Sequence, residues 1–268
     1  MTGPNFLVVD WDFFFVNPLH NGNVSDRTLL LYDWKHLEHP FFVNDIWSSR
    51  AHGFLMNDLP LPRATDFDGF WDRFGLDDAI LLVADSNLYA GLLQPSSIGD
   101  PEHERWNRID LFDAHHDAGY KIRSMDEYIA RGTVSCEDWM LEHARRGVTD
   151  LHVHYPAWLT AAFSADPEPA IEVDRRIDDG QPVGVDYDAV FVCRSGAWVP
   201  PWCDDQFVEF VESFPGGDIN WIDEENDMMA RDFDVETVTA QAELLKQAIR
   251  EHGSSVDALN AGLSREDR

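Results

Sequence analysis

The chain has 268 residues, of which 44% are hydrophobic, and 50 acidic residues against 20 basic residues give a formal net charge of −30 at pH 7. Its 17 phenylalanines and 10 tryptophans exclude a disordered acidic protein, because such proteins lack the apolar residues that build a core. The negative charge disfavours a nucleic-acid backbone or an anionic membrane surface as partner. We therefore expect a small-molecule substrate, and the length favours one large α/β domain.

The cysteines and the N-terminal segment predict a cytoplasmic protein. Cys136, Cys193 and Cys203 form no C-x-x-C pair, and an odd, sparse set of cysteines is typical of a reducing compartment. The first residues, "MTGPNFLVVDWD", lack the basic region of a signal peptide and reach aspartate after a short apolar run. No uninterrupted apolar stretch approaches the ~20 residues of a membrane-spanning helix.

Five short apolar runs predict the strands of a mostly parallel sheet. Each has the length of a strand, lacks regular alternation and ends in polar residues, as buried parallel strands do when their carboxyl ends line a site. Because helical segments separate the runs, we predict a three-layer α/β/α sandwich. The five runs are Phe6–Val9, Ala79–Ala84, Ile109–Phe112, Leu151–Val153 and Ala189–Cys193.

Two internal helices are predicted from their amphipathic patterns and their ends. Ser135–Gly147 begins with a capping box formed by Ser135 and Asp138 and ends at a glycine. Gln206–Phe214 is amphipathic, and Asp204 or Asp205 would serve as its N-cap.

The two remaining segments set the predicted domain organisation. Val235–His252 predicts a helix that ends at Gly253, so residues 1–253 would form one domain and residues 254–268 a C-terminal tail. In "AIEVDRRIDDGQPVGVDY", two alternating runs flank Asp178–Gly180, which predicts a hairpin excursion over residues 170–187.

The stretch "NRIDLFDAHHDAGY" carries the strongest functional signal. Asp113, His115 and Asp117 follow an apolar strand at alternate positions, so their side chains point to one side if the strand continues and converge if it becomes a loop. Burying these polar groups after an apolar run is costly without a partner. Two carboxylates and an imidazole suit Mn²⁺, Fe²⁺ or Zn²⁺, and we expect manganese.

A second acidic pair follows the first strand in "FLVVDWDFFF". Asp10 and Asp12 would face the same side of that strand. An isolated D-x-D at a strand end is most often a turn or a helix cap. Next to Asp113 and Asp117, however, it would complete a group of four carboxylates that repel one another, and two divalent cations are the simplest way to hold them together.

These motifs resemble a known superfamily. The run Asp113-Ala114-His115-His116-Asp117 is similar to the D-A-H-x-D signature of the arginase and deacetylase superfamily, the ureohydrolases in particular. "VVDWDFFFVNP" is similar to their second D-x-D element, and most of all to the D-x-D-F-F form of a little-characterised arginase-like family. The resemblance implies an arginase-like fold and a binuclear manganese centre, in which two metals share a hydroxide that attacks a carbon bearing nitrogen.

By the same resemblance, Asp10, Asp12, Asp113, His115 and Asp117 would be metal ligands. The family also has a histidine ligand after another strand, and the matching segment here, "LLVADSNLYAG", has Asn87 in its place. An asparagine oxygen coordinates a hard cation, though more weakly than imidazole binds Mn²⁺. The motif order also differs, because D-x-D precedes D-A-H-x-D here. A parallel sheet with neighbouring termini tolerates such a permutation.

Two further histidines are candidates for catalysis. His116 is out of phase with His115, so it would donate a hydrogen bond to a ligand, carry a proton, or pack into the neighbouring layer. His154 ends the strand in "DLHVHYPAW", where it would shuttle a proton or simply cap the strand.

The sequence therefore predicts a metal-dependent hydrolase of a C–N bond in a guanidino, amidine or amide compound. One alternative is a manganese phosphoesterase, which would use Asp85 with Asp10 and Asp12, although Ala114 interrupts the Asp-His-His signature of such enzymes. Another is a degenerate fold of this type that binds or regulates without catalysis, and Asn87 favours it. Ser195 lacks the G-x-S-x-G elbow of serine hydrolases.

Overall fold

Seven strands form one all-parallel sheet in the order β5-β4-β3-β1-β6-β2-β7. The computed structural model describes residues 3–16, 40–161, 166–223, 231 and 233–266. The strands are β1 Asn5–Asp10, β2 Ile80–Ala84, β3 Arg108–Phe112, β4 Asp150–Tyr155, β5 Asp174–Ile177, β6 Ala189–Cys193 and β7 Ile219–Trp221.

Helices lie on both faces of this sheet, so the predicted three-layer α/β/α sandwich is confirmed. One face of β1 packs against aromatic residues that include Phe207 and Phe210, and its other face packs against Trp139. The helices are α1 Pro40–Met56, α2 Leu88–Leu92, α3 Met125–Arg131, α4 Trp139–Arg145, α5 Asp204–Glu212 and α6 Val235–Glu266.

The five apolar runs form five of the strands, and their burial explains their composition. The central strands are covered on both faces, so residues of both faces are apolar and no alternation is seen. Strand β1 lies between β3 and β6, with Val9 beside Phe112 and Asp10 beside Cys193. After β1 the chain continues to β2 on one side and then to β3 on the other. The carboxyl end of β1 is therefore a topological switch point, where open α/β sheets bind ligands.

The hairpin predicted over residues 170–187 is wrong. Its first half is β5, an edge strand that pairs in parallel with β4. The second half is outside the sheet, where Tyr187 and Val183 hydrogen bond through their backbone N–H groups to carbonyls at Gly75 and Arg73. The alternating pattern has another cause, since residues of β5 alternate between exposed and half-buried at the sheet edge.

Three predicted helix boundaries also differ from the structure. Helix α6 continues through Gly253 to Glu266, because a glycine inside a helix costs only about 1 kcal/mol. The tail predicted from residue 254 is therefore helical as far as described, and residues 267–268 lie outside the described residues. Helix α4 begins at Trp139, after Asp138 accepts the Ser135 N–H. Helix α5 has Cys203, not an aspartate, as its N-cap.

The helices of the described residues include none with the length and apolar character needed to cross a lipid bilayer.

Candidate metal centre

The six predicted metal ligands converge at the carboxyl edge of the sheet. Asp10 is the last residue of β1, Asp113 follows β3 directly, and Asn87 lies in the turn between β2 and α2. Because β1 and β3 are neighbours in the sheet, their polar ends meet. Hydrogen bonds or ion pairs link all six side chains, which are Asp10, Asp12, Asn87, Asp113, His115 and Asp117.

Short turns fix the carboxylates. The side chain of Asp10 accepts the Asp12 N–H at 3.0 Å and so caps the 3-10 helix Trp11–Phe14 that carries Asp12. Asp12 in turn accepts the N–H of Ala114 at 3.3 Å, and Asp113 accepts that of His115 at 2.8 Å. The bond from Ala114 to Asp12 ties the two aspartate motifs together.

Asp12, Asp113 and His115 form an outer group with the geometry of a metal site. His115 Nδ1 lies 3.1 Å from Asp12 Oδ2 and 3.2 Å from Asp113 Oδ1. Each of the three residues offers one ligand atom, and these atoms lie within 4.8 Å of one another. Ligands at about 2.1 Å from one cation lie roughly 3 Å apart, so the donor set fits a divalent ion. The His115 side chain is 43% exposed, which leaves this group accessible.

Asp10, Asn87 and Asp117 form an inner group that is buried. Asn87 Nδ2 donates to Asp10 Oδ2 at 2.7 Å and to Asp117 Oδ2 at 3.0 Å, and it lies 3.4 Å from Asp113 Oδ2. Ser195 Oγ donates to Asp10 Oδ2 at 2.6 Å, and Trp139 Nε1 donates to Asp117 Oδ2 at 2.8 Å. Neutral donors of the protein therefore satisfy the inner carboxylates.

Burial and the local charges shift the pKa values of side chains in both groups. Burial, followed by the charge of Asp12, raises the pKa values of Asp10 and Asp113 well above the usual range. Burial also raises the pKa of Asp117 to about 7. At His115, burial lowers the pKa, but the charge of Asp12 and the bond to Asp113 outweigh it, so the pKa is well above its ordinary value. The cluster therefore holds protons near neutral pH, and a cation must displace them to bind.

His116 is held by residues of its own turn. Its Nδ1 accepts the Ala118 N–H at 3.0 Å, and its ring stacks on Tyr120 at 4.1 Å. Burial lowers the pKa of His116 to about 4, so it is neutral at physiological pH. These contacts favour packing into the neighbouring layer, and a catalytic role for His116 stays a prediction.

His154 belongs to a second polar group, which is centred on Asp110. Its Nε2 lies 2.8 Å from Oδ1 of Asp110, and its ring stacks on Phe112 at 4.3 Å. Asp110 is fully buried and also accepts from Arg108 and Tyr187. Burial raises the pKa of Asp110, but the bonds from Arg108 and His154 outweigh it and lower the pKa below the usual range. This environment explains the burial of His154 without a role at the carboxylate cluster.

Sequence reasoning missed two residues that support the site and a third, Arg194, that neutralises a neighbouring carboxylate. Ser195 and Trp139 hold Asp10 and Asp117, as described above. Arg194 binds Asp85 through Nε and a terminal nitrogen, both at 2.7 Å, so Asp85 is already neutralised. The adjacency of Ser195 to Asp10 depends on β6 lying beside β1, and the sequence contains no signal for that strand order. Ser195 also has a positive φ of 52°, which no motif indicated.

Aromatic residues flank the outer group on one side. The Trp198 ring lies 5.8 Å from the ring of His115. Trp202 instead packs against Trp47 and donates to the carbonyl of Pro62 at 2.7 Å. Of these two tryptophans, Trp198 is the one that lies beside His115.

Comparison of the chain with protein-family models, with curated proteins and with solved structures found no match. The resemblance to the arginase and deacetylase superfamily therefore rests on the residues of the strand-end motifs, and family membership stays a prediction.

Proposed function

We propose that the protein is a manganese-dependent hydrolase that cleaves a C–N bond in a guanidino, amidine or amide compound. One observation carries the proposal, which is the convergence of Asp12, Asp113 and His115 at the switch point of a parallel sheet. Two carboxylates and an imidazole are a donor set that suits Mn²⁺, with Fe²⁺ and Zn²⁺ as alternatives. The resemblance of "DAHHD" and "DWDFF" to ureohydrolase motifs supports the reaction class.

A divalent cation bound by these residues would polarise the substrate and lower the pKa of water to near neutrality. The protein would contribute three functions of its own. Asp12 and Asp113 supply negative charge that attracts the cation, and their hydrogen bonds to Ala114 and His115 keep them oriented. His115 supplies the exposed third ligand. Trp198, beside His115, would limit the space available to a substrate.

A role in binding or regulation without catalysis is the second candidate. It is favoured by Asn87, whose nitrogen rather than oxygen points at the carboxylates, so the residue does not act as a ligand in this orientation. A manganese phosphoesterase is less well supported, because Asp85, which it would need, is paired with Arg194.

Activity of the reconstituted protein tests the proposal. Chelator-treated protein would be reloaded with Mn²⁺ and supplied with guanidino, amidine and acyl-amine compounds, with release of urea, ammonia or amine as the readout. We expect turnover that H115A abolishes and that H152A preserves, since His152 lies at the β4–β5 edge and pairs with Asp150 and Asp174. Stoichiometric Mn²⁺ without turnover on any class would support the binding role instead.

A further inference from the structure

We infer that the amide of Asn87 takes the place of a second cation, so that the centre holds one metal ion and not two. This inference deepens the proposed function, since it concerns the same cluster. The sequence resemblance implies a binuclear centre, and the inner group does not fit that expectation.

The first argument is the position of the amide nitrogen. Asn87 Nδ2 lies 2.7, 3.0 and 3.4 Å from oxygens of Asp10, Asp117 and Asp113, respectively. A cation shared by these three carboxylates would have to lie between the same oxygens. The amide N–H groups occupy that volume and supply partial positive charge to the same atoms.

The second argument is the orphaned oxygen of the same side chain. Asn87 is 3% exposed, and its Oδ1 has no hydrogen-bond partner among the described residues. A buried acceptor without a partner is unfavourable. No bond to Oδ1 therefore fixes the orientation of the amide. The carboxylates fix it, because turning the oxygen toward them would replace hydrogen bonds with repulsion.

The third argument is that other neutral donors complete the inner group. Ser195 donates a hydrogen bond to Asp10, and Trp139 donates one to Asp117. The hydrogen bonds that Asn87 donates go to Asp10, Asp117 and Asp113, and Asp12 of the outer group instead pairs with His115. The inner group is thus balanced by the protein, and the outer group is the one suited to Mn²⁺.

Manganese stoichiometry of Asn87 variants tests the inference. Wild-type protein and N87D would be saturated with Mn²⁺, freed of excess metal and measured by elemental and native mass spectrometry. N87D is isosteric and replaces the donor with a ligand, so bound Mn²⁺ should rise from one to two ions per chain. N107D adds the same charge near Asn5, outside the cluster, and should keep one ion. Two ions in the wild type, or one in N87D, would overturn the inference.

Thermal melting in EDTA tests the same inference without depending on the amount of bound metal. N87D should lower the melting temperature by roughly 10 °C more than N107D, because an unbalanced buried charge is added, and Mn²⁺ should restore it. An N87D melting temperature equal to that of N107D would contradict the inference even if the wild type bound no metal. Absence of Mn²⁺ from the wild type would by itself refute the proposed function.

If N87D does not fold, N87A removes the donor without adding charge, and it too should bind two ions. One ion in N87A would overturn the inference.

Discussion

At Asp117 the backbone and the side chain both depart from ordinary values. The residue has a positive φ of 47°, and burial raises its pKa to about 7. Aspartate tolerates this left-handed conformation better than most residues. The turn places the Asp117 carboxylate within hydrogen-bonding distance of Asn87 Nδ2 and Trp139 Nε1. The D-A-H-x-D spacing alone does not reveal that geometry.

The raised pKa of Asp117 predicts a pH-dependent difference between the wild type and D117N. The folded carboxyl keeps its proton up to about pH 7, whereas the unfolded carboxyl loses it near pH 4, so the wild type loses stability as pH rises through this interval. The D117N variant has no titrating carboxyl at this position. In EDTA, the stability of D117N relative to the wild type should therefore increase from pH 5 to pH 8, by on the order of 3 kcal/mol.

Thermal or urea unfolding of both proteins at several pH values measures this difference. The pKa values of His116 and His143 are lowered to about 4 by burial, which opposes the trend, but both proteins share these histidines, so the contribution cancels. A stability difference that stays constant or decreases with pH would contradict the assignment.

Arg194 has a structural role outside the proposed metal centre. It pairs with Asp85 in a buried environment and also contacts Asp204. R194M would leave Asp85 buried and unpaired, so the free energy of unfolding should fall by about 3–5 kcal/mol while Mn²⁺ stoichiometry is unchanged. R176M, at the exposed edge of β5, should change stability by less than about 0.5 kcal/mol. Loss of metal from R194M with normal stability would assign Asp85 to the centre instead.

At the scale of elements, the sequence predicts the convergence of the strand-end carboxylates better than it predicts the helix boundaries. Polar residues after Phe6–Val9 and Ile109–Phe112 indicate where strands end, and the carboxyl ends of parallel strands share one edge of the sheet. The end of α6 was not predictable from Gly253, because a glycine inside a helix costs only about 1 kcal/mol and does not by itself end the helix. Strand β5 was mistaken for a hairpin because an edge strand alternates as a hairpin does.

The contact between α2 and α4 is the element-level feature that supports the site. Gly91 of α2 lies so close to α4 that a Cβ atom there would be 2.9 Å from Trp139 Cβ and from Val134 Cγ1. G91A should push the helices apart and lower the free energy of unfolding by about 1–3 kcal/mol, as measured by urea unfolding. L92A changes an exposed position of the same helix and is the control. Equal stability of the two variants would show that this close approach is not required.

At the scale of the whole molecule, strand order decides which polar residues meet. The sequence alone predicts that four carboxylates lie close together, because these residues end strands or follow them directly. The four are Asp10, Asp12, Asp113 and Asp117. It does not reveal that β6 lies beside β1 and brings Ser195 to Asp10, since strand order is a long-range property. His154 shows the same limit, because its register with Phe112 directs it to Asp110.

The metal content of protein purified without chelator tests the central claim most directly. Elemental mass spectrometry should find one Mn²⁺ or Fe²⁺ per chain, and EDTA should lower the melting temperature. In D113N and H115A the metal should be lost, with affinity reduced by more than about 100-fold, since even residues that only support ligands contribute about 10- to 100-fold. The fold should remain, because these side chains are not part of the apolar core. Protein without metal, or unchanged metal content in both variants, would contradict the claim.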